Sequence, residues 1–270
     1  MVSKIKKYIP LQFKYLGWYI FKSPQRRLGF LRSISQEINA LFAFLSHIGF
    51  SNYKNNLKPI SICTGIKDRT SNYLDFVLSS ILEMDHQDLI EISIFDCGSK
   101  DVSLLKEELG KKWRGKMIFS NEIHDFTRSF SFNRAIDQSS NELFFVSDAD
   151  MTLPKDLVEQ CNKYVTQKTV WFPICFSLYE NKHPVISSEN GEWRITGKGM
   201  FASTKKQFEK AGKFNLQYKT WGWEDIDIWI SYFNAGIMPL RKRCNGLIHN
   251  WHPSLEVETE IPQHLEKFGI

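Results

Sequence analysis

The chain has 270 residues, enough for one α/β domain with an appendage or for two small domains. Its 42% hydrophobic and 24% charged residues are typical of a folded globular protein, which excludes extensive disorder. The five cysteines are scattered and form no C-x-x-C pair, which excludes a disulfide framework and a cysteine zinc site and favours a reducing compartment.

The positive charge of the chain is concentrated at its beginning. The formal net charge is +5, and residues 1–50 hold eight lysines and arginines against one acid, Glu37. Aromatic side chains mixed with these cations favour contact of residues 1–50 with an anionic membrane surface. The pattern is as typical of a solvated arm that packs on the main domain or on a second copy in a homo-oligomer. No nucleic-acid-binding motif accompanies the charge, so nucleic acid is not an expected partner.

The hydropathy of the chain bears on its location. No run of about 18 apolar residues occurs, which argues against a membrane-spanning helix. The first residues also lack the long apolar core and the small-residue cleavage site of a secretory signal. We therefore expect a cytoplasmic protein that is at most peripheral at a membrane.

The pattern of apolar residues separates an arm from a domain. Helical spacing over 34–48 predicts an amphipathic helix that Gly49 ends, so we place a basic, partly helical arm over 1–55. Strands are predicted over 59–64, 89–95, 116–120 and 142–147, and helices over 71–84, between the second and third strands, and over 205–211. This alternation predicts an α/β fold with a mostly parallel central sheet and helices on both faces.

Polar residues follow the first two predicted strands, where such sheets bind ligands. Thr64 begins a turn that ends at Arg69, and Asp96 begins the sequence Asp-Cys-Gly-Ser. These residues suit a nucleoside, with Asp96 accepting a hydrogen bond from a base or a ribose. Asp-x-Gly-Ser is also an ordinary turn sequence.

The fourth strand runs directly into Asp148-Ala149-Asp150. Alternation along an extended segment would point both carboxylates to the same side. Two hard oxygen ligands suit Mg²⁺ or Mn²⁺ bridging a diphosphate. The alternative is a solvated strand end, but the position at the carboxyl edge of the sheet favours the metal.

The segment WGWEDID, residues 221–227, places three carboxylates directly after two tryptophans. Indole rings stack on the apolar face of a sugar while carboxylates accept hydrogen bonds from its hydroxyls. One carboxylate could also remove a proton from a hydroxyl. The alternative is an acidic helix N-terminus, where Glu and Asp favour the positive end of the helix dipole.

Taken together, these motifs resemble a family. Asp96-Cys97-Gly98-Ser99, the segment Phe126-Thr127-Arg128 that leads to Asn133-Arg134-Ala135, Ser147-Asp148-Ala149-Asp150 and WGWEDID occur in the order found in GT-A glycosyltransferases. Within that fold the chain is similar to the β1,4-galactosyltransferases and to the galactosyl-type domain of bacterial chondroitin-synthase-like enzymes. The resemblance covers about residues 58–255. It implies a GT-A domain over 56–270, with a nucleotide-binding half (56–150), an acceptor-binding half (151–255) and a tail (256–270).

The resemblance implies roles on the donor side of the site. Asp150 would ligate the metal, with Asp148 facing the ribose and the ion. Residues Arg69, Asp96 and Arg128 would hold the nucleotide. The glycine-rich segment that contains Gly199 would form the floor of the sugar pocket.

It also implies a histidine ligand past the acidic motif. His249 aligns with that ligand, and His252 is a substitute for it or a phosphate contact. The galactosyltransferases add a methionine ligand three residues before their histidine, where Gly246 stands here.

On the acceptor side, Asp225 matches the family's general base. Glu224 would bind the acceptor sugar, and Trp221 and Trp223 would line its platform. The expected function is transfer of galactose or N-acetylgalactosamine from a UDP-sugar to a saccharide or lipid-linked saccharide, with inversion. Glucuronic acid and N-acetylglucosamine stay open as the donor sugar. A nucleotidyltransferase acting on a sugar phosphate and a non-catalytic saccharide-binding subunit are the alternatives.

Overall fold

The computed structural model describes residues 56–219 and 222–253. The strands within these residues are β1 (Ile60–Ile66), β2 (Ile90–Asp96), β3 (Lys116–Asn121), β4 (Leu143–Val146), β5 (Met151–Thr152), β6 (Thr169–Leu178), β7 (Gly191–Trp193), β8 (Phe201–Thr204) and β9 (Met238–His249). The helix α1 is built from Thr70–Asn72, the π-helical Tyr73–Leu78 and Ser79–Leu82. The others are α2 (Val102–Lys112), α3 (Arg128–Gln138), α4 (Leu157–Tyr164), α5 (Lys205–Ala211) and α6 (Glu224–Asn234), and a 3₁₀ turn covers Gln87–Leu89.

All described strands join one sheet. Its order is β3-β2-β1-β4-β8-β6-β9-β5, and β7 pairs with β6. The neighbouring strands β3, β2, β1 and β4 pair in parallel, and β6 pairs in parallel with β9. The strands β8, β7 and β5 pair with their neighbours antiparallel. The predicted α/β class is therefore confirmed, with the parallel pairs concentrated in the first four strands.

Alternating side chains of the strands divide the core into two layers. In β4, Leu143 and Phe145 pack in one layer, and Phe144 and Val146 pack in the other. The first layer is covered by α1, α2 and α4, and the second by α3, α5 and α6. Helices on both faces of the sheet are thus confirmed, and the second layer is rich in aromatic rings, including the fully buried Phe172.

The topology brings the polar strand ends together. Because β1, β2 and β4 are parallel neighbours, Thr64, Asp96 and Ser147 lie at one edge of the sheet. The long strand β9 returns to this edge and pairs with β5, which sets His249 opposite Met151. Residues far apart in the sequence, 148–150 and 249–252, therefore share one site.

Several expectations fall outside the described residues. These are the arm over 1–55 with its helix over 34–48, its membrane contact, the tail over 256–270, and Trp221. Among the described helices, none combines the length and the apolar character that crossing a membrane requires.

Candidate active site

The two carboxylates that follow β4 have different surroundings. The chain turns at Ala149 and Asp150 instead of staying extended. Asp148 contacts Arg128, whereas Asp150 contacts two histidines. The two carboxylates therefore have different partners in this structure, and their joint service of one ion stays a prediction.

One group of three potential metal ligands occurs among the described residues: Asp150, His249 and His252, with ligand atoms within 4.8 Å of one another. The Nε2 atom of His252 lies 3.0 Å from Asp150 Oδ2, and the Nε2 atom of His249 lies 4.0 Å from Asp150 Oδ1. Asp150 Oδ1 is buried and accepts no hydrogen bond from a described residue. The group combines two imidazoles with a carboxylate that has an unsatisfied buried oxygen. Such a donor set suits a divalent metal ion.

Neighbouring side chains hold these ligands in place. The backbone N–H of Asn250 donates to the carbonyl of Asp150 at 3.0 Å, and the Asn250 side chain donates to the same oxygen at 2.9 Å. The hydroxyl of Ser177 lies 3.2 Å from Nδ1 of His249. This contact holds Nδ1 and leaves Nε2 directed at Asp150. Outer partners commonly orient metal-binding histidines in this way.

The protonation of Asp150 and His249 favours cation binding, whereas His252 must be neutral before it can ligate an ion. Burial lowers the pKa of His249 to about 4, so its imidazole is neutral near neutral pH. The hydrogen bond to Asp150 raises the pKa of His252. Burial opposes ionisation of Asp150, but the contacts with both histidines and the nearby charge of Arg69 outweigh it and lower its pKa. The cluster therefore offers an ionised carboxylate and a neutral imidazole.

Arg128 connects the acidic turn after β4 with the start of α6. Its Nη2 atom donates to both oxygens of Asp148 at 2.8 and 2.9 Å and to the carbonyl of Gly199 at 3.1 Å. Its Nη1 atom donates to Glu224 Oε1 at 2.7 Å. The Arg128 side chain is only 9% exposed, and its packing on the Phe132 ring adds a cation–π contact at 4.9 Å. Arg128 thus orders the acidic turn and the start of α6 at once.

Glu224 belongs to this buried network. Its side chain is 3% exposed, and its Oε2 accepts a hydrogen bond from the N–H of Gly222 at 2.9 Å. Trp223, which precedes α6, has a φ of 70°, a conformation that bulky residues rarely adopt. Both oxygens of Glu224 have partners within the protein, and direct binding of the acceptor by Glu224 stays a prediction.

Removing Arg128 is expected to destabilise the fold because Glu224 would be left buried and unpaired. Arg128→Ala should lower the free energy of unfolding by about 3–5 kcal/mol. Arg134→Ala is the matched control, since Arg134 lies on the same helix and pairs with Glu122 with side chains 48% and 46% exposed. This control should lose no more than about 1 kcal/mol. Urea unfolding measures both, and equal losses would contradict the network.

Asp225 lies at the first turn of α6 and is half-buried. Its Oδ2 accepts a hydrogen bond from the N–H of Lys198 at 3.1 Å, and its Oδ1 accepts one from the N–H of Ile226 at 2.8 Å. These backbone donors fix the carboxylate without neutralising it, and the helix N-terminus favours its negative charge. An oriented and partly accessible carboxylate is suited to accept a proton.

The predicted nucleotide contacts lie at the edge of the sheet. Asp96 is fully buried, and its Oδ2 accepts hydrogen bonds from the N–H groups of Gly98 and Ser99, both at 2.9 Å. Its Oδ1 and the Oγ1 of Thr64 are buried without a hydrogen-bond partner among the described residues. A Cβ added to Gly199 would come within 3.0 Å of the Arg128 guanidinium, so glycine permits this close approach.

Sequence reasoning missed some residues of the site. Three residues hold Asp150, His249 and Asp225 through hydrogen bonds, and nothing in their local sequence indicates this role. They are Asn250, Ser177 and Lys198, respectively. The spacing of His249 and His252 around Trp251 was the signal that both lie near the site. The resemblance to the family favoured His249 alone as the metal ligand.

Three features together define a glycosyltransferase domain of the GT-A fold. They are the strand order, the acidic turn after β4 and the acidic first turn of α6, which lies at the same edge of the sheet. The mannosyltransferase PcManGT from Pyrobaculum calidifontis, in complex with GDP-Man and Mn²⁺, is 13% identical with a TM-score of 0.56, covering 72% of this chain and 57% of that chain. S. aureus TarS 1-349, in complex with UDP-GlcNAc, is 12% identical with a TM-score of 0.56, covering 73% and 60%.

The chain belongs to the chondroitin N-acetylgalactosaminyltransferase family, whose model matches residues 50–263. Human chondroitin sulfate synthase 3 is 27% identical over 168 residues, which are 57% of this chain and 19% of that protein. Human chondroitin sulfate N-acetylgalactosaminyltransferase 1 is 24% identical over 218 residues, which are 73% of this chain and 40% of that protein. The chain thus spans well under half the length of these two relatives.

Proposed function

We propose that this chain transfers N-acetylgalactosamine from a UDP-sugar to a saccharide acceptor during polysaccharide synthesis, with inversion at the anomeric carbon and a divalent metal ion as cofactor. The observation that carries the proposal is the juxtaposition, at one edge of a GT-A sheet, of the Asp150–His249–His252 group with the Arg128–Asp148–Glu224 network and Asp225. The family and the named relatives support N-acetylgalactosamine over galactose.

Asp150, His249 and His252 would hold the metal ion, and both histidines would act together. Gly246 has a φ of 83°, and a Cβ there would come within 3.2 Å of Pro154, so the backbone does not suit a methionine ligand. His252 would take the place of that ligand. Two nitrogen donors favour Mn²⁺ over Mg²⁺, which prefers oxygen ligands and retains water. The ion would supply positive charge to the diphosphate leaving group.

The remaining residues position the donor. Arg128 holds Asp148 and the carbonyl of Gly199, so the acidic turn and the glycine-rich segment keep a fixed spacing. Thr64 Oγ1 and Asp96 Oδ1, both buried without a described partner, are the groups we assign to the nucleoside. Fixed groups of this kind lower the entropic cost of bringing the reactants together.

Asp225 would remove the proton of the attacking acceptor hydroxyl. Its two backbone hydrogen bonds orient the carboxylate, and its partial exposure allows a hydroxyl to approach. One base acting opposite the leaving group implies in-line displacement, so an α-linked donor would yield a β-linked product. Glu224 would act indirectly, by holding Arg128 and the backbone of Gly222.

The full chain tests this proposal with UDP-GalNAc, UDP-Gal, UDP-GlcNAc and UDP-GlcA as donors and chondroitin-derived oligosaccharides as acceptors. We expect transfer from UDP-GalNAc that EDTA abolishes and that Mn²⁺ restores better than Mg²⁺. NMR of the product should show a β-linkage. Undiminished transfer in EDTA, an α-linked product, or transfer from another donor alone would each overturn the corresponding part of the proposal.

A further inference from the structure

The segment between β7 and β8 passes directly beside Asp225. Residues 195–200 form neither helix nor strand, and Lys198 stands there between two glycines. The N–H of Lys198 donates the hydrogen bond to Asp225 Oδ2 at 3.1 Å. Because glycine has more backbone freedom than any other residue, this donor keeps its place only if other contacts restrain the segment.

Two arginines hold the ends of this segment. The Nη2 atom of Arg241 donates to the carbonyl of Ile195 at 2.6 Å, and the Nη2 atom of Arg128 donates to the carbonyl of Gly199 at 3.1 Å. The Arg241 side chain, on β9, is buried like that of Arg128. These bonds fix Ile195 and Gly199, and the residues between them need a restraint of their own.

The side chain of Lys198 provides that restraint. Lys198 is only 7% exposed, and lysine is almost never buried to this extent unless its charge has partners. Its Nζ atom donates to the carbonyl of Thr196 at 3.0 Å and lies 5.1 Å from the centre of the Trp229 ring, which is a cation–π contact. The ammonium group therefore joins the middle of the segment to α6.

The two contacts of Lys198 with α6 are one helical turn apart. Asp225 and Trp229 are separated by four positions, so they lie on the same face of the helix. The Trp229 ring in turn packs edge-on against Phe233, with the ring centres 4.4 Å apart. Lys198 thus contacts Asp225 through its N–H and the next turn through its ammonium group. Contacts at this spacing fix the position of the segment along the helix and the direction of the N–H.

We infer that Lys198 is a positioning residue for Asp225: its ammonium group, held on the Trp229 ring, keeps its own N–H aimed at Oδ2 and so holds the carboxylate in a fixed orientation for proton removal. The inference rests on the proposed function, in which Asp225 is the base. A positioning residue acts through the group that it orients. Loosening the segment therefore slows the chemical step and leaves the binding of donor and acceptor nearly unchanged.

The test uses three variants of this contact and one matched control. Lys198→Met keeps the apolar stem and removes the ammonium group, Lys198→Arg keeps a cation that can stack on an indole ring, and Trp229→Leu removes the ring. Lys242→Met is the control, because Lys242 Nζ also lies 5.1 Å from a ring centre, that of Tyr164, and donates to its hydroxyl at 2.6 Å. Tyr164 belongs to the other core layer. Trp229→Leu tests the contact from its other side, so a folding defect in one variant leaves the comparison intact.

Steady-state kinetics gives kcat and the KM of donor and acceptor, and thermal melting reports folding. We expect Lys198→Met and Trp229→Leu to lower kcat by about 10–100-fold with both KM values within about twofold. Lys198→Arg should retain most of kcat, and Lys242→Met should match the unmodified chain. In the Asp225→Asn background, Lys198→Met should change kcat by less than about twofold, because no base is left to position.

Hydrogen exchange of the amide at position 198, followed by NMR, reports the same restraint independently of activity. We expect exchange at least about tenfold faster in Lys198→Met and in Trp229→Leu, and unchanged in Lys242→Met. An unchanged kcat in Lys198→Met, or an equal loss with and without Asp225, would overturn the inference while transfer itself persists. Absent transfer in the unmodified chain, together with the expected pattern of exchange, would instead overturn the proposed reaction and retain the restraint by Lys198.

Discussion

Asp225→Asn is expected to lower the rate of sugar transfer by about 10²–10⁴-fold, the usual contribution of a general base. Asparagine keeps one oxygen, which can accept the hydrogen bond from Lys198, and it loses only the bond from Ile226 within the same helical turn. The change therefore removes the proton acceptor more than the structure around it. Steady-state kinetics with UDP-GalNAc and a tetrasaccharide measures the effect, and binding of UDP with Mn²⁺ should stay as in the unmodified chain.

The control for this substitution is Asp156→Asn, at the N-cap of α4. It makes the same chemical change at the start of another helix, where the carboxylate is exposed and accepts a hydrogen bond from Gln160. Asparagine serves as well as aspartate in this position, so transfer should be unchanged. Full transfer by Asp225→Asn would remove Asp225 from the role of base.

Replacing the two histidines of the metal-ligand group should have the second large effect. His249→Ala and His252→Ala are each expected to weaken Mn²⁺ binding by at least about hundredfold, because loss of an outer partner alone costs 10–100-fold. The double variant should show no metal-dependent transfer. Calorimetry with Mn²⁺ alone measures affinity independently of activity.

His183→Ala is the control, since His183 is exposed and lies outside the metal-ligand group. Its Mn²⁺ affinity should equal that of the unmodified chain. If His252→Ala also binds Mn²⁺ normally while His249→Ala does not, only the histidine favoured by alignment is a ligand. That result would contradict the paired arrangement proposed here.

Local sequence patterns located the first four strands and three of the helices of the described residues. The four predicted strands correspond to β1 through β4 with bounds shifted by at most two residues, and the predicted helix over 205–211 is α5. Strand and helix periodicities are expressed over a few residues, so the chain reveals them without knowledge of its neighbours. Motif order likewise identified the GT-A fold and the family.

Local sequence patterns could not predict how the side chains of Asp148 and Asp150 are oriented. Alternation applies to extended backbone, but the chain turns at Ala149–Asp150 as soon as β4 ends. Arg128 then draws Asp148 toward Glu224, while the pairing of β5 with β9 places Asp150 beside the histidines. Each of these contacts joins segments that are distant in the sequence.

The sequence by itself determined the fold class, the family and the residue types of the site, because these follow from local periodicity and from motif order. The tertiary structure alone decided that Asp148 pairs with Arg128 and that Glu224 is buried against the same guanidinium. The physical reason is that Arg128 and Glu224 are 96 positions apart. Such an ion pair depends on how the sheet and its helices pack, and a buried charge is stable only where that packing supplies its partner.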